Sequence, residues 1–571
     1  MPAVIPLTDQ NSLVPTSKFP LASWKHANFN PIQSRVFEHY ASDANLAIAA
    51  KTAAGKTVIA EMLMSHSIRV RGGKAIYIAP MKALAQEKYG EWTKADHHFS
   101  DLKVSICTGD FQLTTARIKE LNSAHIVVMT PEMLASRCRN LKSEKSAFLK
   151  ETGVCVFDES HLLTVPGRGD HIEVAIMKLT ELCPQIRLLM LSATMPNMPE
   201  VCGWLCKLTG KDTCLLMSDY RPCPLAIHYV PYDDSASDYA SKELAKIEKT
   251  VGIVQHHPDD KFLLFAHTKD TGALLIDALA EKGITSEFYN ADVPKEDRTR
   301  MMDSFINDPS YRVLAATSAV AWGVNSPARR VVIMGVTCGM QLVETYDIWQ
   351  MAGRAGRPAY DPKGDVYILV PSSKKDETIA YLRNKKPIRS TLLEAIAGNY
   401  KTLAFHIVSE IHQGQVKTKD GFHVWFRDSL AHHQNLDFDD EVVDKVIDML
   451  LKCKAIKLEE GEYVATPIGV IASMFYYSPF DVANLRQNFA NFFGGGCKDD
   501  VALAMALAHV DSNMLTIANR AEKEEMEGFV RLTQKLNLPY KKTPEGVYKI
   551  ACAYYNLLTG RYSARFHNLQ Q

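Results

Sequence analysis

Short apolar runs that end in small or polar residues, each followed by a helical pattern, constrain this chain most. AIYIAP, HIVVMTP, VCVFDES and LLMLSAT repeat that unit through the first two hundred residues. The rhythm is that of βαβ units around a parallel sheet. Functional groups of such sheets collect at the carboxyl ends of the strands. The rhythm pauses at SDYRPCPLAIHYVPYDD, Ser218 to Asp234, which reads as a linker. It restarts with KFLLFAHTK, RVLAATSA and RRVVIMG as strands of a second α/β domain. After GDVYILVPSS the chain is mainly helical, with one hairpin-like piece, AIKLEEGEYVATP. The tail after MFYYSPF reads as all-helical, with FFGGGCKDD, Phe492 to Asp500, as a turn. The expected organisation is an α/β fold with two parallel-sheet domains, 1–217 and 218–373, then a linker and third domain, 374–479, and a short helical domain, 480–571.

The chain is long enough for this, since 571 residues at ~100–200 per domain give three to five domains. Its 46% hydrophobic content can supply each with a core. The 65 basic and 65 acidic residues cancel, which argues against a basic coat and makes any phosphate contacts local. Twelve cysteines form no CxxC pair, and the CxxxC of Cys202 and Cys206 has no second half. Free thiols in a reducing compartment fit that pattern better than zinc or an iron–sulfur cluster. MPAVIPLTDQ shows no secretory pattern, and no apolar run reaches the ~18–20 residues of a membrane span. An intracellular protein, of cytoplasm, nucleoid or nucleus and not of a membrane, is expected.

Within the first domain, AAKTAAGKTVIAEM (Ala49 to Met62) places a Gly55-Lys56-Thr57 triplet between the apolar run NLAIAA and a helical pattern. Strand, loop and helix in that order suit a phosphate cradle, with the N–H groups of Ala53, Ala54 and Gly55 and the helix start facing the phosphates. Lys56 would reach the β/γ oxygens and Thr57 would hold Mg²⁺. A GKT alone is as readily a structural turn, so a magnesium-binding acid at the end of another strand is required. VCVFDESH supplies it, with Asp158 to complete the Mg²⁺ shell and Glu159 beside it to position and deprotonate a water.

With both motifs in place, DESH resembles the DExH box of superfamily 2 helicases. NFNPIQSRVFE is similar to the adenine-reading Q motif, with Phe29, Pro31 and Gln33 in place. APMKALAQEKYGEW, TGD and TPEML resemble strand-tracking motifs, and LSATMPN the coupling motif, with Ser192, Ala193 and Thr194. ATSAVAWGVNSPARRVVI resembles motif V and QMAGRAGRP motif VI. HLLTVPGRGDHIEVAI, YRPCPL, AWGVN and QMAGRAGRPAYDPKGD are similar to the Ski-two-like branch, over roughly residues 24 to 480.

The resemblance implies two tandem RecA-like domains, then a winged-helix domain, signalled by ATPIG leading to YYSP, and a short ratchet-like helical domain. It implies an ATP-dependent helicase or translocase moving 3′→5′, with ATP and Mg²⁺ as cofactors. The expected partner is single-stranded or partly duplex nucleic acid, DNA favoured over RNA, with the chain acting as a monomer. An RNA or RNA–protein remodelling ATPase is the rival, and a non-hydrolysing scaffold the more distant one. Arg354 and Arg357 become arginine fingers on a shared helix face, and Gln350 senses the γ-phosphate or water. Gly353 and Gly356 permit close approach to the cleft. Gly323 and Asn325 join the nucleotide set, and His161 links the acidic strand to the second domain. Pro80, Lys82, Gly109, Thr130 and Pro131 in the first domain, with Thr268, Thr317 and Ser318 in the second, would hold the strand by its phosphates. Lys82 is equally a solvated surface residue, and Trp425, Tyr476 and Tyr477 read as core before stacking platforms.

Five departures qualify the likeness. Ala319-Val320 stands where relatives have Thr-Leu, and Lys269 replaces an arginine of motif IV as a point charge. The strand-separating hairpin would be short, at about residues 336–343 around Cys338-Gly339. Ala53 occupies a glycine's place, and Lys51 a proline's. Alanine resists positive φ by roughly 1–2 kcal/mol. The loop is therefore expected to keep φ negative at Ala53, and Ala53→Gly to leave activity within a fewfold.

Overall fold

The structure, a computed structural model, describes residues 2–7, 12–109, 114–193, 195–290, 292–318, 328–339, 341–357, 361–394, 399–494, 499–514, 516–518, 520–536, 543–561 and 563–566. They group into two compact units, residues 1–134 with 144–390, and residues 135–143 with 391–571.

The first unit holds two lobes. In the first lobe the strands are Val4–Pro6 (β1), Asn45–Ala50 (β2), Lys74–Ile78 (β3), Val104–Cys107 (β4), Ile126–Met129 (β5), Thr152–Phe157 (β6), Arg187–Ser192 (β7) and Thr213–Ser218 (β8). They pair in the order β1-β8-β2-β7-β6-β3-β5-β4, every pair parallel. Helices cover both faces, which is why β2 and β7 read as unbroken apolar runs: all their residues are buried. Arg187 fixes the start of β2, its guanidinium donating to the carbonyls of Ala44 (2.6 Å), Tyr40 (2.5 Å) and His39 (2.6 Å).

The second lobe follows with Leu225–Tyr232 (β9), Phe262–Phe265 (β10), Ser286–Tyr289 (β11), Val313–Ala316 (β12), Arg330–Ile333 (β13), the hairpin strands Thr337–Cys338 (β14) and Gln341–Leu342 (β15), and Gly364–Pro371 (β16). Its sheet runs β11-β12-β10-β13-β16-β9, again parallel throughout. The segment expected to be a linker is therefore mostly strand. β9 pairs with β16 from Leu225↔Gly364 to Tyr232↔Pro371, and only residues 219–224 connect the lobes. Pro231 disguised it, and an edge strand tolerates proline. β1, with Pro6, is likewise an edge strand that sequence reading passed over.

The second unit carries helices Lys401–Gln413, Lys419–Phe426, Leu430–His433 and Asp440–Lys452, then the antiparallel hairpin Ile456–Glu459 (β17) with Glu462–Ala465 (β18), and helix Pro467–Phe475. These helices and their hairpin occupy the segment where the winged-helix domain is expected. Helices Pro479–Gly494, Asp500–Ala508, Arg520–Thr533 and Glu545–Leu558 complete the unit, and the expected turn after Gly494 falls largely outside the described residues. The Arg139 guanidinium lies 3.7 Å over the Phe405 ring and 5.4 Å from that of Tyr476, tying 135–143 to this unit. Tyr477, read as core, is 57% exposed. The described cysteines are free. Among the described residues no helix is long and apolar enough to cross a membrane.

Candidate active site

β2 ends at Ala50 and the helix Lys56–Arg69 begins six residues on, with the loop between them open at its helix end. Gly55 takes φ +80° as the helix N-cap and gives no side-chain cap, so the first-turn N–H groups have no side chain on them from that residue. Lys56 Nζ donates to the carbonyls of Ala50 (3.0 Å) and Ser192 (3.1 Å), bridging the ends of β2 and β7. Thr57 stands in the first turn of the helix, half-buried. Ala53 has φ +64°, so the expectation of a negative φ is overturned, and the loop stores strain there. The Q-motif residues lie against this loop. Asn30 Nδ2 donates to Ala54 O (2.9 Å), Gln33 Nε2 to Gly55 O (3.1 Å), and the two side chains also close a capping box. A Cβ on Gly55 would sit 2.5 Å from Gln33 Nε2, so glycine is required. Phe29 is 1% exposed and packs on Trp24 and Phe37, so its ring supports the loop from the core and presents no face to a base.

At the end of β6, Asp158 Oδ2 accepts a 2.6 Å hydrogen bond from Tyr77 Oη, and Oδ1 accepts the Glu159 N–H (3.0 Å). Burial, then the charge of Glu159, holds the Asp158 carboxyl above its usual range, against the pull of Lys56. Glu159 itself has φ +51°, a costly backbone for a non-glycine residue that aims its carboxylate. Its Oε2 is buried without a hydrogen bond, 3.3 Å from His161 Nδ1. His161 is fully buried, which lowers its pKa to about 3 and keeps it neutral. Its ring lies 5.1 Å from that of Tyr346 in the second lobe, the inter-lobe link expected of it. Ser192 Oγ, at the end of β7, is buried and without a hydrogen-bond partner, Ala193 follows it, and Thr194 lies outside the described residues.

These donors fit a magnesium nucleoside triphosphate. The Asp158 carboxylate feels the Lys56 ammonium, the buried Glu159 Oε2 and Ser192 Oγ want partners, and hydroxyl and carboxylate oxygens suit a hard cation.

The second lobe supplies the opposite wall. Gln350, on helix Thr345–Ala352, is 5% exposed and accepts from Thr52 Oγ1 at 3.3 Å. A Cβ on Gly353 would lie 2.8 Å from Thr52 Cβ, so this glycine lets the lobes touch. Gly356 packs instead on Cys223 and Gly364 of its own lobe side. The helix ends at Ala352, so Arg354 and Arg357 sit beyond it and do not share a helix face. Burial lowers the pKa of Arg354, against the raising charges of Glu87 and Glu159 from the first lobe. Arg357 is turned to Asp361, donating from Nε (2.8 Å) and Nη2 (2.8 Å). Gly323 and Asn325, with Ala319 and Val320, lie outside the described residues.

Sheet order separates this site from the expected strand track. The nucleotide groups follow β2, β7 and β6, while Pro80, Gly109 and Thr130 follow β3, β4 and β5 on the same carboxyl edge. Lys82 lies along Gly109, within 3.7 Å of a Cβ built there. Thr130 precedes helix Pro131–Cys138 and is only 4% exposed, so its hydroxyl is not open to the strand expected there. In the second lobe Thr268 follows β10 and caps helix Lys269–Glu281, and Thr317 and Ser318 follow β12. Lys269 pairs with Asp292 at 2.6 Å, which engages the charge expected to replace the motif IV arginine. The hairpin β14–β15 forms where expected, with Gly339 at φ +61° and Leu342 57% exposed.

Residues 30–201 match the DEAD/DEAH box helicase family, and residues 245–359 the helicase conserved C-terminal domain. The chain carries these two helicase domains in tandem and is similar to the Ski-two-like branch of superfamily 2. It is 29% identical over 526 residues to the RQC trigger complex helicase SLH1 of Saccharomyces cerevisiae, a match covering 80% of this chain and 26% of that protein. It is 28% identical over 492 residues to the ATP-dependent DNA helicase Hel308 of Methanocella arvoryzae, covering 78% and 64%. The chain thus spans less than two thirds of either relative. The crystal structure of the DUF1998 helicase MrfA bound to DNA shares its fold, with a TM-score of 0.61 at 18% identity over 84% of this chain and 62% of that one.

Three residues of this chain escaped sequence reading. Tyr77 sits inside the apolar run AIYIAP, where a lone tyrosine reads as core. Arg168 donates from Nε to Glu132 Oε1 (2.8 Å) and from Nη2 to Pro80 O, bracing the start of the strand track. Arg221, in YRPCPL, reaches four carbonyls around the cleft. The quoted family segments contained the two arginines, but nothing in their spacing revealed a role.

Proposed function

We propose that this chain is an ATP-driven motor that moves 3′→5′ along one nucleic-acid strand as a monomer, DNA more than RNA. One observation carries the reading: the two lobes bring complementary halves of a hydrolytic site together, acids and ammonium on one side, Gln350 and Arg354 on the other. Lys56 exchanges its two carbonyls for β/γ-phosphate oxygens, and the first-turn N–H groups of its helix hold the remainder. Mg²⁺, held by Thr57 and Asp158, would supply charge neutralisation between the β- and γ-phosphates. Glu159 accepts the proton of the attacking water, its aim fixed by its left-handed backbone. Arg354, with Arg357 once released from Asp361, offsets charge on the departing phosphate, worth ~10³–10⁵ in rate in P-loop enzymes. Gln350 senses the γ-phosphate, and Ser192, Ala193 and Thr194 couple the site to the strand track.

Movement follows from the split site. ATP favours the closed lobes and product release lets them part. The strand lies along Pro80, Lys82, Gly109, Thr130 and Pro131, then Thr268, Thr317 and Ser318. Backbone N–H and hydroxyl contacts carry no base information, so the motor is sequence-tolerant. The preference for DNA is supported by the similarity to a DNA helicase. The deciding experiment measures ATPase stimulation by matched single-stranded DNA and RNA. DNA-stimulated turnover that vanishes in Glu159→Gln is the expected result. Stimulation by RNA alone would make the chain an RNA motor, and no turnover with either would leave a scaffold.

A further inference from the structure

Residues 219–224 do more than join the lobes. Arg221 turns its guanidinium into the cleft and donates four hydrogen bonds to backbone carbonyls. Nη1 reaches Thr52 O (3.0 Å) in the phosphate loop, Nη2 reaches Gly353 O (2.8 Å) and Ala355 O (2.7 Å) on either side of Arg354, and Nε reaches Cys223 O (2.8 Å) in the linker itself. One planar fork therefore joins the first lobe, the linker and the arginine-bearing turn of the second lobe. Beside it, Thr52 Oγ1 meets Gln350 and Thr52 Cβ leaves no room for a side chain on Gly353. Lys51 Nζ lies 3.3 Å from Asp219, so the linker follows the loop along its edge, although this exposed pair contributes little.

We propose that Arg221 is a latch: a positioning residue that holds the lobes in contact without nucleotide and so sets the ATP concentration at which the site is ready. Its acceptors are all main-chain, so it fixes where the two backbones stand without itself bonding the side chains of Lys56, Gln350 or Arg354. Burial and the charge of Arg354 both disfavour its guanidinium, which is consistent with a residue kept for geometry. Lysine cannot replace it, because an ammonium lacks the planar fork that meets carbonyls on three segments at once. The kinetic part rests on the proposed ATPase. The geometric part does not.

The test places a donor and an acceptor dye at exposed Lys94 and Lys282, one on each lobe, in the full chain. Wild-type protein without nucleotide is expected to give one narrow, short distance. Arg221→Ala and Arg221→Lys are expected to give a longer, broader distribution that a non-hydrolysable ATP analogue returns to the wild-type value. In turnover, KM for ATP should rise about tenfold while kcat stays within about threefold, a split that general loosening of the fold would not produce. Wild-type spacing in nucleotide-free Arg221→Lys, or a loss confined to kcat, overturns the latch. If the wild-type chain hydrolyses no ATP, the proposed function fails, and the distance comparison still decides whether Arg221 holds the lobes.

Discussion

Tyr77 Oη donates a 2.6 Å hydrogen bond to Asp158 Oδ2 across adjacent strands β3 and β6. The phenol is fully buried, so no water replaces it, and it orients the carboxylate assigned to Mg²⁺. Groups that hold a metal ligand in place typically contribute 10–100-fold in affinity or activity. Tyr77→Phe should therefore raise the Mg²⁺ concentration for half-maximal ATPase about tenfold while the chain still folds. A magnesium titration of the purified variant checks this, and an unchanged midpoint would remove Tyr77 from the site.

Ala53 at φ +64° gives the second prediction. Alanine there costs roughly 1–2 kcal/mol, and glycine gives back part of that gain through unfolded-state entropy. Ala53→Gly should stabilise the protein by about 0.5–1 kcal/mol and tighten ATP binding a fewfold. Chemical denaturation and nucleotide titration measure the two effects, and a destabilised variant would mean that the loop does not hold this backbone in solution.

Much of this was legible because parallel strands buried on both faces leave apolar runs, and because Lys56, Asp158 and Glu159 occur where those runs end. The first strand read as linker, β9, was illegible for the complementary reason: an edge strand with Pro231 need not look like a buried one. The three-residue spacing of Arg354 and Arg357 suggested a shared helix face, yet the helix ends at Ala352, because spacing alone cannot locate a C-terminus. Phe29 had the residue type for stacking on a base, but the same ring is an equally good core residue, and packing against Trp24 decided. Tyr77 and Arg221 act through partners far away in sequence, Asp158 and the carbonyls of Thr52, Gly353 and Ala355, which no local pattern encodes.

Two buried histidines set the acid limit of stability. Burial lowers His161 to about 3 and His98 to about 4, both below the unfolded value of 6.5. The unfolded chain binds more protons between those values and 6.5, so stability is complete above pH 6.5 and falls as pH drops. At pH 5.5, one unit below the unfolded pKa, His161 alone removes stability on the order of 1 kcal/mol. His98 acts with the same sign. Denaturant melts at pH 7.5 and 5.5 should show that loss, and His161→Asn should flatten the dependence. A stability that is level or rises toward pH 5.5 would contradict the burial of His161.

On the proposed helicase reading, the hairpin β14–β15 is the element that would part a duplex, and it is only two residue pairs long. Leu342, 57% exposed, pairs with Thr337 at its open end, while His267 Nε2 meets Gly335 O (2.7 Å) and Cys338 Sγ meets His267 O (3.3 Å). Nothing in the nucleotide site touches Leu342, so its removal should leave hydrolysis alone. Leu342→Ala is expected to keep strand-stimulated ATPase within twofold and to lower the unwinding rate of a partly duplex DNA at least fivefold. Deleting Cys338 to Met340 should abolish unwinding while translocation along a single strand persists. Unwinding that survives the deletion would show that the chain separates strands elsewhere, or that its motor merely pulls.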